Sequence, residues 1–295
     1  MPQGTVLGPL LFLTYINDLP SEVSSQVRLF ADDCLLYRPI RSRADQEQLQ
    51  RDLSALQAWA DKWGMNFNPS KCFILRVNRP KSKGLPFDYG LKGVTLERVQ
   101  STPYLGVRLS ETLEWESHIN TITAKANSTL GFLRRNLKVC PLKLKETAYF
   151  AMIRSCLEYS CAVWDPFRQK DIDKLNKIQR SAARFVTSNY KKTTSVTSLI
   201  QNLGWDDLQL RRKNCRLVCL FKIVNQLVEI PISDRLIPAD KITRGGHNQA
   251  FKHIRANTTL GQNSFWYKTI PDWNSLSPAA IQAKTVAAFK GRLSD

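Results

Sequence analysis

The chain has 295 residues, 43% of them hydrophobic, which excludes a disordered polypeptide and leaves room for about two domains with real cores. Its 43 Lys and Arg against 25 Asp and Glu give a net charge of +18, a surplus that points to a polyanionic partner, nucleic acid before an acidic membrane surface. Seven scattered cysteines, odd in number and without close pairs, argue against a disulfide framework and for a reducing, intracellular setting in nucleus or cytoplasm.

In chain order, the first segment is a loop, Pro2-Gln3-Gly4-Thr5, leading through Pro9 into a helix expected to end near Asn17. The apolar run from Val6 to Ile16 is too short to cross a membrane, and with no charged leader before it and no small-residue cleavage site after it, secretion is not expected. Next, Val27-Arg28-Leu29-Phe30 and Cys34-Leu35-Leu36-Tyr37 flank the adjacent carboxylates of Asp32 and Asp33, and the pattern predicts a β-hairpin with acid at its tip. Two acids so placed call for a cation.

Leu49, Leu53, Leu56, Trp59, Ala60 and Trp63 recur at helical spacing, so a helix is predicted over 43–63 with Gly64 as its stop. Met65 to Val77, turning at Asn68-Pro69-Ser70-Lys71, reads as a second hairpin with Lys71 at its tip. Short strands are expected near 87–90, 94–96 and 104–109. From Trp115 onward the texture is helical. Ile119, Ile122, Ala126, Leu130, Leu133 and Leu137 form one stripe; Tyr149, Ile153, Cys156 and Leu157 a second; Ile172, Leu175, Ile178, Ala182 and Phe185 a third. A fourth helix, over 207–228, is expected to turn Cys215, Val218, Phe221 and Val224 inward. Cys215 and Cys219 with His247 and His253 superficially have zinc-ligand spacing, but the cysteines fall in that helical pattern and read as core residues. Residues 245–278 are expected to be irregular and aromatic, followed by a short helix capped by Thr285.

Two motifs carry a resemblance. Pro2-Gln3-Gly4-Thr5-Val6-Leu7-Gly8-Pro9-Leu10-Leu11-Phe12 with Tyr15-Ile16-Asn17-Asp18-Leu19-Pro20, and then Phe30-Ala31-Asp32-Asp33, resemble the B and C motifs of the reverse transcriptases of non-LTR, LINE-type retrotransposons. Met65 to Lys71, Tyr104-Leu105-Gly106-Val107, Leu157-Glu158-Tyr159 and Val163-Trp164-Asp165-Pro166 are similar to later segments of the same family. Thr5 stands where the family usually has Ser, and Cys34 where it usually has Thr. The resemblance implies an α+β protein: a partial palm over 1–112, a helical thumb-like region over 113–240 and an aromatic C-terminal segment over 241–295.

It implies RNA-directed DNA synthesis on an RNA template and a DNA primer from dNTPs, with Mg²⁺, or Mn²⁺ in its place, held by Asp32 and supported by Asp33. Gln3 and Gly4 would meet the incoming nucleotide and template, and Lys71 the phosphates, although Lys71 reads equally as a solvated turn lysine. Tyr104, Leu105 and Gly106 would hold the primer terminus, with a plain β-core role open for Leu105. Arg134 and Arg135 would meet duplex phosphate unless they are only a solvated helix face. The family's A motif, with a further metal-binding Asp, precedes the B motif, and the chain begins inside B. The chain is therefore expected not to polymerise alone. A basic nucleic-acid-binding remnant without chemistry, and an untranslated relic, are the competing readings.

Overall fold

A computed structural model describes residues 4–78, 84–230, 235–240 and 247–293. Helix and strand are mixed, with the strands gathered in two-stranded sheets, which makes an α+β protein. The chain divides into two units: residues 1–104 with 110–112, and residues 105–109 with 113–295.

In the first unit, α1 (Gly8–Ile16) and a 3₁₀ turn (Leu19–Glu22) precede β1 (Gln26–Phe30) and β2 (Asp33–Tyr37). These strands pair antiparallel in the register Gln26↔Tyr37 through Phe30↔Asp33, so only Ala31 and Asp32 make the turn. α2 (Arg43–Lys62) starts at a capping box of Ser42 and Asp45. It stops in a Schellman arrangement: Gly64, at φ +65°, donates to the Asp61 carbonyl, and Met65 N–H donates to the Ala60 carbonyl at 2.8 Å. Leu56, Trp59 and Ala60 of α2 bury against Ile16, Leu19 and Val27, the core of this unit.

The predicted second hairpin does not form. Met65 and Phe67 pack onto the α2 core instead of pairing, and Pro69 opens a 3₁₀ turn (Pro69–Lys71). β3 (Phe73–Leu75) finds its partner elsewhere. After β4 (Gly90–Leu91) and β5 (Val94–Thr95), which pair with each other, β6 (Glu97–Val99) runs parallel to β3 from Phe73↔Glu97 to Leu75↔Val99. The strand expected over 87–90 is reduced to Gly90, and that expected over 104–109 is broken into β7 (Ser101–Tyr104) and β8 (Val107–Ser110).

The second unit is helical: α3 (Glu116–Asn136), α4 (Leu142–Ala148), α5 (Ser155–Glu158), α6 (Cys161–Trp164), α7 (Gln169–Thr187), α8 (Val196–Asn202) and α9 (Leu208–Val224). A π turn over Tyr149–Arg154 joins α4 to α5 and buries both Tyr149 and Ile153; the Tyr149 ring stacks on Trp205 with centroids 4.3 Å apart. Ile119, Ile122, Ala126, Leu130 and Leu133 of α3 face Leu175, Ile178, Ala182 and Phe185 of α7 in one core.

Two expectations are corrected here. On α9, Cys215 is exposed and Cys219 only partly covered, while Arg212 and Arg216 are buried with Leu217, Leu220 and Phe221. Those arginines turn inward because Asp165 is buried opposite them, which rotates the inward face away from the one that apolar spacing alone suggests. The C-terminal aromatic stretch is irregular over 247–258 but helical after it, while 245–246 lie outside the described residues: α10 (Thr259–Gln262), α11 (Phe265–Asn274) and α12 (Pro278–Ile281) precede α13 (Val286–Arg292), whose first turn Thr285 caps by accepting from Ala288 N–H. Trp273 and Phe289 anchor this second core. Among the described residues, no helix is long and apolar enough to cross a membrane.

Candidate catalytic hairpin and its surroundings

The β1–β2 register fixes where the two carboxylates stand. Asp32 occupies the second position of a two-residue turn and Asp33 the first position of β2, and both are exposed. Ala31 takes φ +50°, a left-handed conformation that costs a residue with a side chain about 1–2 kcal/mol. So tight a turn leaves no spacer between the acids and the strand ends.

Tyr104, at the end of β7, lies in the field of this tip. Burial raises its phenol pKa, and the charges of Asp33 and of Cys34 raise it further, while Arg28 opposes them. Burial likewise pushes the Cys34 thiol up to about 11, with Cys72 beside it adding to the effect. Cys72 follows Lys71, so the 3₁₀ turn carrying the exposed Lys71 is adjacent to β2. Asp33, Tyr104 and the Lys71 turn, separated by up to 71 positions in sequence, are thus brought into one neighbourhood.

Gly4 is exposed at φ +86°, a conformation that favours glycine, and Thr5 accepts from Gly8 N–H at 3.1 Å at the head of α1. Gln3 lies outside the described residues. Leu105 and Gly106 form a turn at φ +47° and +78°, and in their own unit Tyr159 pins it: the Tyr159 hydroxyl donates to the Leu105 carbonyl at 3.1 Å. A Cβ on Gly106 would stand 3.0 Å from the Tyr159 ring.

The two arginines expected at phosphate part company. Arg134 is engaged within the protein, donating to the Ser181 carbonyl at 3.0 Å and standing 6.0 Å from the Tyr190 ring centroid. Arg135 is exposed. The zinc-like spacing has a different explanation: His247 is buried with its Nε2 3.0 Å from the Trp273 carbonyl, and among the described residues no three His, Cys, Asp or Glu side chains gather to hold a metal.

The family model described as "Reverse transcriptase (RNA-dependent DNA polymerase)" matches residues 1–109, the span that holds the hairpin, Lys71 and Tyr104. Residues 1–109 belong to the reverse transcriptase family. Beyond that span the likeness continues: the chain is 29% identical over 200 residues to a probable RNA-directed DNA polymerase from transposon X-element of Drosophila melanogaster, an alignment covering 63% of this chain and 21% of that protein. The RNA-directed DNA polymerase from mobile element jockey of the same fly is 26% identical over 63% of this chain and 22% of its own length. A Pol polyprotein from type-1 retrotransposable element R1 of Nasonia vitripennis is 24% identical over 72% of this chain and 68% of its own. These relatives place the reverse transcriptase segment with the non-LTR retrotransposons. The chain matches about a fifth of the length of the X-element and jockey proteins. No solved structure matches it.

Sequence reasoning missed three residues that organise the two units. Asp52, on the inner face of α2, is buried and accepts from Ser24 and Ser25 N–H at 3.2 and 2.8 Å, which ties the start of β1 to the helix. Tyr159 pins the Leu105–Gly106 turn. Asp165 stands 2.9 Å from Arg212 and 3.0 Å from Arg216, both buried, with Lys268 as a third cation. A lone carboxylate inside an apolar stripe is a readable signal for Asp52. The partners of Tyr159 and Asp165 lie about 50 positions or more away in sequence, and local spacing carries no signal for them.

Proposed function

We propose that residues 1–112 are the part of a palm that carries the metal-holding hairpin of an RNA-directed DNA polymerase, with residues 113–240 as a thumb-like region and 241–295 as an appended C-terminal segment. The observation that supports this most is the two-residue turn that presents Asp32 and Asp33, exposed and adjacent, in a segment of reverse transcriptase sequence. The template would be RNA, the primer DNA and the substrate a dNTP. Tyr104, Leu105 and Gly106 would position the primer end, Gln3 and Gly4 the nucleotide and template, Lys71 its phosphates, and Arg135 the duplex backbone. An intracellular setting accompanies this reading, since all seven cysteines are free thiols.

The carboxylates are the hard oxygen donors that Mg²⁺ or Mn²⁺ prefers, so the donor type fits. The donor number fits one loosely held ion rather than two, because among the described residues no third acid or imidazole joins Asp32 and Asp33. Bound there, a divalent ion would supply charge stabilisation for an in-line displacement at phosphorus. What these residues themselves would do is present two adjacent carboxylates at a two-residue turn, with the phenol of Tyr104, its pKa raised, in the field of Asp33.

That donor shortfall favours a second reading, in which this chain binds nucleic acid without synthesis. Primer extension on an RNA template with the purified 295-residue chain separates the two, and no incorporation is expected. Template-dependent synthesis abolished by Asp32→Ala would keep the hairpin's role and overturn the need for a further donor. Synthesis that survives Asp32→Ala would remove the hairpin from the active site.

A further inference from the structure

Charge is sorted along the helical unit. α3 and α7 run in the same direction, since Lys170 bonds Glu116 at 2.7 Å and Lys174 bonds Asn120 at 2.7 Å near their starts, while Arg134 bonds the Ser181 carbonyl near their ends. Acids sit only at the starting end. Between Glu116 and Glu146 the sequence has six Lys or Arg and no Asp or Glu, and between Asp173 and Asp206 it again has six and none. Cations at helix C-termini are favoured by the helix dipole, which accounts for Arg134, Arg135 and Arg184 in the last turns of α3 and α7. It does not account for Tyr190, Lys191 and Lys192, which lie in the loop beyond α7.

That loop is fastened down by the N–H donors of two cations, Arg184 and Lys145. Arg184 donates to the carbonyls of Asn189 at 3.3 Å, Lys191 at 3.0 Å and Thr194 at 3.4 Å. Lys145, itself buried, donates to the Ser188 hydroxyl at 2.7 Å, and Lys191 N–H donates to Asn189 Oδ1 at 3.2 Å. Arg134 backs the Tyr190 ring. The result is a fixed loop on which Tyr190 is 55% exposed, with the exposed Lys191 and Lys192 next to it. One face of the ring is left open to solvent, and ordering the loop in advance lowers the entropy lost when something docks on it.

We propose that the 188–194 loop is a docking surface for single-stranded nucleic acid, in which Tyr190 stacks one base and Lys191 and Lys192 take the flanking phosphates. An aromatic platform flanked by cations suits a strand whose bases are free to stack, and a duplex keeps its bases out of reach. Arg135 and Lys138, exposed at the end of α3, extend the positive field along the strand. This surface lies outside residues 1–109, which the family model matches, and needs no carboxylate of the hairpin, so its test is separate from that of the hairpin.

The test is fluorescence anisotropy of labelled single-stranded RNA and DNA oligomers, and of a duplex of the same sequence, titrated with the full chain across a salt series. Tyr190→Ala is expected to weaken single-strand binding about tenfold and Tyr190→Phe to leave it unchanged, because only the ring is used. Lys191→Ala/Lys192→Ala should flatten the salt dependence by about 1.4 in slope, the share of two phosphates on a single strand. Duplex binding should be insensitive to Tyr190→Ala, and a difference between the RNA and DNA arms would identify which strand the loop prefers. The proposal is overturned if Tyr190→Ala and the double lysine variant bind single strands as the parent does. It is equally overturned if the charge-matched pair Lys125→Ala/Lys284→Ala, outside the loop, weakens binding as much, since the affinity would then belong to net charge alone.

Discussion

Tyr159 and Gly106 are in contact across 53 positions of sequence: the ring carbon Cε1 stands 3.0 Å from where a Cβ on Gly106 would be, and the same side chain donates to the Leu105 carbonyl. The turn therefore wants glycine twice over, for its φ of +78° and for the ring beside it. Gly106→Ala is expected to cost about 1–2 kcal/mol from the backbone alone. Urea unfolding should show that Gly106→Ala and Tyr159→Ala together cost less than the sum of the two, because removing the ring relieves the contact. Strict additivity would mean that the two residues do not touch.

Asp52 joins α2 to the start of β1. Burial pushes its carboxyl pKa up, but hydrogen bonds from Ser25, Ser24 and Gln48 outweigh that and leave it below the ordinary carboxylate value. A group depressed in the folded state contributes stability above its unfolded pKa of about 3.9, and that contribution is lost as pH falls through the folded value. Asp52→Asn is expected to destabilise by about 1–3 kcal/mol at pH 7. Measured by urea midpoint against pH, the gap between parent and variant should close only below about pH 4. A gap that is constant down to about pH 3 would contradict the account.

Asp165 is the shared counter-ion of Arg212, Arg216 and Lys268. Asp165→Asn leaves Arg212 buried without an acid and Arg216 with Asp272 alone, and should cost about 3–5 kcal/mol. Arg216→Met should cost less, since Arg212 and Lys268 still neutralise the acid. Thermal unfolding of the two variants checks the order, and a larger loss for Arg216→Met would show that the Asp272 side of Arg216, at 3.0 Å, matters more.

Cys215 is exposed as a residue while its sulfur is partly covered; its thiolate accepts from the Cys161 thiol and from Ala162 N–H, which together outweigh that covering and lower its pKa to about 7. Alkylation by iodoacetamide, followed by mass spectrometry, should reach half its maximal rate near pH 7, against about 8.5 for an ordinary thiol. Cys161→Ala removes the first donor and should move that midpoint upward. An unmoved midpoint would mean that Cys161 contributes nothing.

Much of this architecture is legible in the sequence because it is local. Two short apolar runs flanking Asp32 and Asp33 mark a hairpin, and the spacing of Leu56, Trp59 and Ala60, then of Ile119 through Leu133 and Ile172 through Phe185, marks helices whose inner faces the structure buries. What is not legible depends on partners distant in sequence. β3 pairs in parallel with β6 after Met65 and Phe67 are drawn to the α2 core, and no turn signal encodes that choice. The inner face of α9 holds Arg212 and Arg216 because Asp165 lies opposite, which apolar periodicity cannot reveal. Residues 245–278 read as irregular, yet a helix forms over Phe265–Asn274, with Pro271 inside it and Trp273 as its buried anchor. At the hairpin, adjacency of the two acids is plain from the chain, while the approach of Tyr104 requires the fold.

The central claim is that the Asp32–Asp33 turn is the metal-holding tip of the reverse transcriptase segment. The most direct measurement is a Mn²⁺ titration of the isotopically labelled full chain, following paramagnetic broadening of backbone amide signals. The account predicts broadening centred on residues 30–34, reversed by excess Mg²⁺ and absent in Asp32→Ala/Asp33→Ala. Broadening that persists in the double variant, or that centres on another part of the chain, would contradict it.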